Sequence, residues 1–598
     1  MAEYESHDYD VVVIGAGGAG LRAAIEASAK GARTALVCKS LLGKAHTVMA
    51  EGGVAAALGN VYPEDNWQVH FRDTMRGGKF LNNWRMAQIH AQEAPERVLE
   101  LEEWGALFDR TPDGRILQRD FGGHRYARLA HVGDRTGLEI IRTLQQHAVH
   151  RGIDVFMECT ITKLTKDGNR ISGAFGYWRE SGKFILFRAK AIVLATGGIG
   201  KMYSITSNSW EYTGDGQSLA ARAGADLIDM ECIQFHPTGM VWPLSVRGIL
   251  VTEGVRGDGG TLRNSTGKRF MFDYIPPMFA KETADTEEEA DRWYTDKVNA
   301  RRTPDLLPRD EVARAIHYEV KNGRGSPHGG VFLDIATRRD AEYIQRRLPS
   351  MYHQFKQLAD VDITKEPMEV GPTCHYIMGG VRVEADSAQT TVPGLFAAGE
   401  AAAGLHGSNR LGGNSLSDLL VFGKRAGEHA AAYAAGLGSA PSVSDEELDV
   451  EAREVLGGFD STGTENPYTI QRELQETMQA LVGIIRVEED LQHALVKIDE
   501  LKQRSRNIGV EGNRQYNPGW HLTVDLRSML LLAEATTKSA IERKESRGGH
   551  TRDDYPTAVK EWESRNVVSR LAADGSVGVT VEAKPEMPAE LQQLFEEA

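Results

Sequence analysis

Clustered metal-binding cysteines are missing from this sequence. Its four cysteines are far apart, and none forms the C-x-x-C pair that is typical of zinc or iron–sulfur sites. They are Cys38, Cys159, Cys232 and Cys374. We therefore predict that this chain has no metal site and no iron–sulfur cluster. So few scattered thiols are typical of a reducing compartment.

Long apolar runs and an excess of positive charge are also missing. No stretch approaches the about 20 apolar residues that span a bilayer, so we expect a chain that does not itself cross a membrane. The net charge of −15 disfavours nucleic acid as a partner, because that needs a basic surface. A strand pattern begins by Tyr9, which leaves no room for a signal or transit peptide. This favours a bacterial cytoplasmic protein or a processed organellar one.

The chain opens with a strand, a glycine turn and a helix. An apolar run from Val11 to Ile14 precedes the turn, an Ala-rich helical stretch follows it, and a second strand pattern runs from Thr34 to Val37. The glycines of the turn are Gly15, Gly17, Gly18 and Gly20. In such a βαβ unit the first glycine permits the tight turn, the next lets the backbone approach a pyrophosphate, and the last lets the helix pack on the sheet. We therefore predict a bound dinucleotide.

The acidic residue that often holds the ribose of a dinucleotide is missing. About 20 residues after the glycine turn, where such a residue would accept the 2′-hydroxyl, the chain has Lys39 and Ser40. A lysine there is compatible with NADP. The sequence has a single G-x-G-x-x-G, however, and an enzyme that binds both flavin and pyridine nucleotide through such folds would need two. We predict one dinucleotide, with Lys39 and Ser40 among its contacts.

The segment Ala45-His-Thr-Val-Met-Ala-Glu-Gly-Gly53 resembles the flavin-attachment segment of the succinate dehydrogenase and fumarate reductase flavoproteins. In that family the histidine is bonded to the flavin 8α carbon. The resemblance therefore implies FAD attached covalently to His46, with a raised flavin potential that helps to oxidise an alkane such as succinate. It also implies FAD contacts at Thr47, Gly52 and Gly53.

Four further segments resemble the family's FAD contacts. Two of them follow buried-strand patterns, at Ala191 to Leu194 and at Leu395 to Ala398, that end in glycine turns. The contacts implied are Gly197 in Thr-Gly-Gly, Asp215 in Thr-Gly-Asp-Gly, Glu400 in Ala-Gly-Glu, and Ser415 and Leu416 in Asn-Ser-Leu. Because they bracket an intervening region, we expect an FAD domain built from two stretches of chain.

A dicarboxylate site is predicted by separated His and Arg motifs. A four-carbon dianion needs cationic or hydrogen-bonding groups at both ends, and a guanidinium can bind a carboxylate through two parallel bonds. Four Gly-flanked motifs resemble the family's substrate motifs, in the family's order. They are Gln-Phe-His236-Pro-Thr-Gly, Thr252-Glu-Gly-Val-Arg-Gly, His375-Tyr-Ile-Met-Gly-Gly and Asn-Arg410-Leu-Gly-Gly. The resemblance implies that His236, Thr252, His375 and Arg410 bind the two carboxylates.

Proton transfer is assigned to Arg256 by the same resemblance, while flavin N5 exchanges hydride. Arginine stays protonated up to about pH 12 and is a poor resting base. We therefore expect transient exchange within a relay, with Glu253 as the nearest carboxylate in sequence, or else an ordinary ion pair between the two. Arg256 would also stabilise a developing carbanion through its fixed charge.

The predicted fold class is α/β, with several domains in 598 residues. A Rossmann-like FAD-binding domain would comprise residues 1–240 and 366–438, with an inserted α+β capping domain at 241–365. Helical periodicity at 446–456, 469–485 and 487–505 predicts a helical domain over 439–550. The segment 551–598 would wrap the surface or contact a partner. Residues 242–249 and 276–308 are longer than in the commonest family members.

The resemblance implies a succinate dehydrogenase flavoprotein subunit. Electrons would pass to an iron–sulfur subunit, and membrane anchor subunits with a quinone site would hold the complex at the cytoplasmic face of the bacterial plasma membrane. Fumarate reductase is the alternative, because Glu51 stands where many succinate dehydrogenases have glutamine, and its charge would disfavour the reduced flavin. L-aspartate oxidase lacks the covalent histidine, so His46 argues against it. An FAD-binding scaffold without turnover would not need the His and Arg motifs.

Overall fold

The strands and helices below come from a computed structural model that describes residues 3–596. The strands are β1 Tyr4–Ile14, β2 Thr34–Val37, β3 Val54–Ala55, β4 Gln118–Arg119, β5 Leu129–Ala130, β6 Asp154–Phe156, β7 Cys159–Asp167, β8 Arg170–Trp178, β9 Phe184–Leu194, β10 Leu227–Ile228, β11 Ile233–Met240, β12 Thr261–Arg263, β13 Val331–Asp334, β14 Met368–Ile377, β15 Gly380–Val381, β16 Leu395–Ala397, β17 Arg565–Leu571 and β18 Val577–Ala583. The α-helices are α1 Gly18–Ala29, α2 Trp67–Gly77, α3 Trp84–Glu103, α4 Thr136–His150, α5 Asp215–Ala223, α6 Gly254–Gly257, α7 Glu287–Arg292, α8 Arg309–Lys321, α9 Ala341–Arg347, α10 Pro349–Leu358, α11 Asn414–Gly436, α12 Asp445–Asp460, α13 Pro467–Leu481, α14 Glu488–Ser505, α15 Pro518–Glu542 and α16 Ala589–Gln592.

The largest sheet has seven strands, in the order β6-β2-β1-β9-β8-β7, and β16 also pairs with β9. β1 runs parallel to β2 and β9, and β9 runs parallel to β16. The last four residues of β1 and of β9 are buried, so they form continuous apolar runs rather than alternating patterns. The four strand predictions are confirmed, and the fold is the predicted mixed α/β architecture.

Close packing of α1 on α11 fixes the position of the glycine turn. A Cβ atom at Gly423 would lie 2.7 Å from Ala19 O, and one at Gly427 would lie 2.2 Å from Ala23 O. Only glycine allows the two helix backbones to approach this closely. Because α1 begins at Gly18 and α11 begins at Asn414, this contact brings the glycine turn close to the segment that follows Arg410.

A second sheet and a separate hydrophobic cluster surround the predicted inserted region. The four antiparallel strands of this sheet lie in the order β11-β14-β13-β12; β12 and β13 fall within residues 241–365, whereas β11 and β14 flank that range. A separate cluster of buried apolar residues extends from Met240 to Val370 and includes residues of α8 and α10. β11 carries His236 and β14 carries His375, so this sheet presents two predicted substrate residues side by side.

The helical region contains the three predicted helices as α12, α13 and α14. A fourth helix, α15, was not predicted. It is 25 residues long and buried around most of its circumference, which removes the amphipathic pattern that identified the others. The C-terminal segment is built into a sheet, because β17 pairs with both β10 and β18. Among residues 3–596, no helix is both long enough and apolar enough to cross a membrane.

Candidate functional site

One long cleft collects most of the predicted site residues. It encloses about 1860 Å³ of space, part of which is open to solvent. Every predicted cofactor residue except Gly20 lines this cleft, and so does every predicted substrate or catalytic residue except Arg256. The cleft extends from the glycine turn to residues of the inserted region, so the predicted cofactor and substrate groups face one cavity.

The glycine turn forms a cradle that larger side chains would fill. A Cβ atom would lie 2.2 Å from Ala195 O at Gly15, and 1.7 Å from Gly15 O at Gly20. Helix α1 begins here with a glycine N-cap that offers no capping side chain. Unpaired amides at the start of a helix bind phosphate, so this cradle fits the pyrophosphate of FAD.

Lys39 forms ion pairs with two carboxylates, the buried Asp525 and the partly buried Asp215. Its Nζ donates to Asp525 at 2.6 Å and to Asp215 at 3.0 Å. Burial lowers the pKa of Lys39, but the two carboxylates outweigh burial and the pKa is raised. Lys39 is therefore committed to these ion pairs, which argues against its binding the 2′-phosphate of NADP.

An acidic residue that the sequence analysis missed lies at the same end of the cleft. Glu211 lines the cleft beside Ser40. Burial raises the pKa of its carboxyl group, against the opposing effects of Ser40 and Lys39. The nucleotide-binding motif expects its acidic residue directly after the second strand, β2. Glu211 instead follows β9 in the sequence, so the motif could not identify it. It is an acidic side chain at the cleft wall next to Lys39 and Ser40, the positions where the sequence lacks one.

His46 is held in a buried, uncharged state. Burial lowers the pKa of its imidazole to about 4, so the ring is neutral at physiological pH. Its Nε2 lies 3.5 Å from Asn208 Nδ2, and its ring packs edge-on against Tyr212 with 4.8 Å between the centroids. A neutral imidazole with an available ring nitrogen is the nucleophilic form that flavin attachment requires.

Two buried carboxyl groups line the flavin end of the cleft. Burial, with Asp134 nearby, raises the pKa of Glu51 well above its ordinary range. Burial also raises the pKa of Glu400 to about 8. The Glu400 carboxyl group is therefore mostly protonated at neutral pH, and burial disfavours the charged form of Glu51. The expectation that Glu51 carries a charge near the flavin did not account for its burial.

Gln234 links the basic groups at the substrate end of the cleft. Its Oε1 accepts from Arg410 Nη2 at 3.1 Å and from Arg309 Nη1 at 3.3 Å. The rings of His236 and His375 lie next to each other, with 5.2 Å between their centroids. The side chains that would grip a dicarboxylate thus converge from β11, β14, α8 and the turn before α11.

Arg309 was missed by the sequence analysis, although it lines the cleft and Arg256 does not. Arg309 Nε donates to Glu253 Oε2 at 2.9 Å. Arg256 is fully buried behind Glu253, with its Nη2 3.9 Å from Glu253 Oε2 and its Nη1 bonded to Asp305 O. Arg309 follows a Pro-rich stretch without a glycine motif, so no local pattern could have marked it.

The substrate end of the cleft carries net positive charge. Burial and the neighbouring arginines lower the pKa of both His236 and His375 well below the ordinary value, so both rings are neutral. Burial raises the pKa of Glu253, but Arg309 and Arg256 outweigh burial, and the carboxylate stays ionised. Arg309, Arg256 and Arg410 thus place three positive charges near the one negative charge of Glu253. This excess of two positive charges matches the charge of a dianion.

Comparison with known proteins agrees with this geometry. A family model described as an FAD binding domain matches residues 10–416, and one described as the fumarate reductase flavoprotein C-terminus matches residues 471–592. Over 577 residues, the chain is 43% identical to a fumarate reductase (CoM/CoB) subunit of Methanothermobacter marburgensis, covering 96% of this chain and 100% of that protein. The chain belongs to the succinate dehydrogenase and fumarate reductase flavoprotein family.

The similarity extends over nearly the full length of these relatives. This chain is 36% identical to the succinate dehydrogenase flavoprotein subunit of Rickettsia bellii, and the match covers 93% of this chain and 92% of that protein. Among solved structures, Mycobacterium smegmatis Sdh1 in complex with UQ1 is 60% identical with a TM-score of 0.87, covering 99% of this chain and 97% of that chain. The E. coli quinol fumarate reductase flavoprotein is 33% identical with a TM-score of 0.89, at 98% coverage of both chains. This chain is an FAD-dependent oxidoreductase. Among the described residues, no cluster of His, Cys, Asp or Glu could hold a metal ion.

Proposed function

We propose that this flavoprotein interconverts succinate and fumarate, and that it works as a succinate dehydrogenase with FAD bonded to His46. The observation that carries the proposal is the pair of arginines, Arg309 and Arg410, in the same cleft as the His46 segment. Two guanidinium groups joined by Gln234 suit the two carboxylates of a short diacid. The neutral rings of His236 and His375 would then donate or accept single hydrogen bonds.

Binding of FAD is supported by the glycine cradle and by the groups around it. The backbone of the cradle would hold the pyrophosphate, Glu211 would accept a ribose hydroxyl, and Glu400 would contact the flavin side as a neutral acid. When bound, FAD supplies the hydride chemistry at one methylene carbon of the substrate. The protein must exclude water there and move a proton at the other carbon.

Proton movement is best assigned to a relay of three side chains. Arg309 would face the substrate carbon, and Glu253 would take the proton from Arg309, because an ionised carboxylate 2.9 Å away can accept it. Arg256 stands behind Glu253 and would hand the proton onward. Burial lowers the pKa of Arg256, which makes such exchange easier than in water. This replaces the sequence-based expectation that Arg256 itself reaches the substrate.

The physiological direction is proposed from sequence identity. The chain is 60% identical to Sdh1, compared with 33% and 43% for the two fumarate reductases described above. Fumarate reduction remains the second candidate, because Glu51 is the residue common in fumarate reductases. Burial raises the pKa of Glu51 and so weakens the argument from its charge for either direction. L-aspartate oxidase is disfavoured by the His46 segment.

The electron route is proposed to pass through partner subunits. The similar structures are those of a protein solved with UQ1 and of a quinol fumarate reductase, which supports a quinone as the final partner. An iron–sulfur subunit would accept electrons from the flavin, because this chain lacks the clustered cysteines to hold such centres. Anchor subunits with the quinone site would attach the complex to the cytoplasmic face of the bacterial plasma membrane.

The first experiment is to denature the purified chain in acid and to measure flavin fluorescence in the gel band. Mass spectrometry of the peptide that contains His46 follows. A flavin mass on that peptide, together with succinate-dependent reduction of an artificial electron acceptor, is the expected result. Complete release of FAD in acid would refute covalent attachment. Retained flavin without succinate or fumarate turnover would refute the substrate assignment instead.

A further inference from the structure

The His46 imidazole touches two side chains that neither the cofactor motifs nor the substrate motifs contain. Tyr212 packs edge-on against the ring, at an angle of 67° between the planes. Asn208 Nδ2 faces Nε2 at 3.5 Å and also donates to His375 O at 2.9 Å. Both side chains lie in the connection between β9 and α5, immediately before the Asp215 turn.

Tyr212 is itself rigidly held. Its backbone carbonyl accepts from Lys201 N at 3.0 Å, and its amide donates to Ser209 O at 3.2 Å. Its ring lies over Gly197, where a Cβ atom would come within 2.8 Å of the ring carbon Cζ. Burial, and after it the nearby carboxyl groups of Glu400 and Glu211, raises the pKa of the Tyr212 hydroxyl well above its ordinary value. A ring held by these backbone bonds and by its packing over Gly197 can restrain a neighbouring ring.

We propose that Tyr212 is the positioning residue for flavin attachment at His46, and that Asn208 assists it. Burial already keeps the imidazole neutral. Bond formation also requires that the imidazole be correctly oriented towards the flavin. A misplacement of about 1 Å can slow a reaction about 100-fold. The tyrosine ring blocks one side of the imidazole, and the asparagine amide restrains the Nε2 edge. This inference rests on the proposed covalent bond between His46 and FAD.

The atoms of the attachment step balance without either residue taking part. A ring nitrogen of His46 bonds to the flavin 8α carbon, and one C–H bond of the 8α methyl group breaks. The methyl proton and the imidazole N–H proton are released, and two electrons stay in the flavin. Those electrons leave when fumarate and two protons form succinate, in the reaction already proposed. Tyr212 and Asn208 only restrain the imidazole.

The test measures covalent and released flavin separately in the full chain. Cells produce the wild type, Tyr212→Ala or Tyr212→Phe, and each chain is purified at intervals after induction. In-gel fluorescence gives the bound flavin, and acid extraction gives the released FAD. Tyr212→Ala should slow covalent incorporation by about tenfold or more, with the lost covalent flavin recovered as released FAD. Tyr212→Phe keeps the ring, so its rate should stay within about twofold of the wild type.

Controls separate positioning from folding. Tyr468→Ala removes a half-exposed tyrosine on α13 and should leave the covalent fraction unchanged. His46→Ala should show released FAD only. Equal covalent incorporation in Tyr212→Ala and the wild type would overturn the inference, and so would a slow Tyr212→Phe. If Tyr212→Ala binds no FAD in either form, the rate of covalent incorporation is measured in Tyr212→Leu instead. That rate should also fall by about tenfold or more, and an unchanged rate would overturn the inference. A wild type without covalent flavin would show that the attachment proposal itself has failed.

Discussion

Replacement of Arg309 by lysine tests the assignment of the proton relay. Lysine keeps the positive charge beside Glu253 but lacks the planar fork of donors that lets Arg309 contact Glu253 and Gln234 together. Positioned proton transfer contributes about 100-fold to 10,000-fold in rate. We therefore expect Arg309→Lys to lower kcat by that range, which corresponds to about 2.7–5.5 kcal/mol in the barrier. Alanine is less informative, because it leaves the buried Glu253 carboxylate without its nearest partner.

The assay is succinate-dependent reduction of an artificial electron acceptor, with kcat and KM normalised to the covalent flavin content. Arg256→Lys is the matched comparison, because Arg256 also pairs with Glu253 but does not line the cleft. Its loss in kcat should be smaller, about tenfold, since it acts one step further from the substrate. Arg346→Lys, at an exposed position of α9, should leave kcat unchanged. A larger loss for Arg256→Lys than for Arg309→Lys would refute the order of the relay.

Three other substitutions test carboxyl groups in or near the cleft. Glu51→Gln should change the flavin midpoint potential more at high pH than at low pH, because burial raises the pKa of Glu51 and rising pH ionises only the wild-type group; a difference between the two proteins that does not grow with pH would contradict this. For Glu400, the folded-state pKa of about 8 lies above the ordinary 4.5, so the folded state holds a proton that the unfolded state releases. Raising the pH from about 5 to 8 should therefore destabilise the wild type relative to Glu400→Gln by at most about 1.4 kcal/mol per pH unit, and parallel stability curves would refute it. Asp525→Asn weakens the ion pair with Lys39 and should cost about 1.5–3 kcal/mol in stability, visible in thermal unfolding, whereas Asp499→Asn, at an exposed position of α14, should cost nothing measurable.

The sequence alone determined the features that depend on short-range constraints. Gly15 and Gly20 are required by backbone approaches that no side chain could tolerate, so the spacing of the glycines identifies the nucleotide cradle. Continuous apolar runs identify β1 and β9 because both strands are buried on two faces. The His46 segment was recognisable because its residues are contiguous in the chain.

Only the tertiary structure decided which distant side chains meet. Arg309 reaches Glu253 across 56 residues of sequence, and Lys39 reaches Asp525 across 486. Such pairings depend on how helices and strands that are distant in sequence pack against each other. A local sequence pattern does not contain this information. The short turn of α6 directs Arg256 into the interior, where its guanidinium lies 3.9 Å from Glu253, and the sequence does not reveal this burial. Burial also raises the pKa of Glu51, which the same carboxyl group on the surface would not experience.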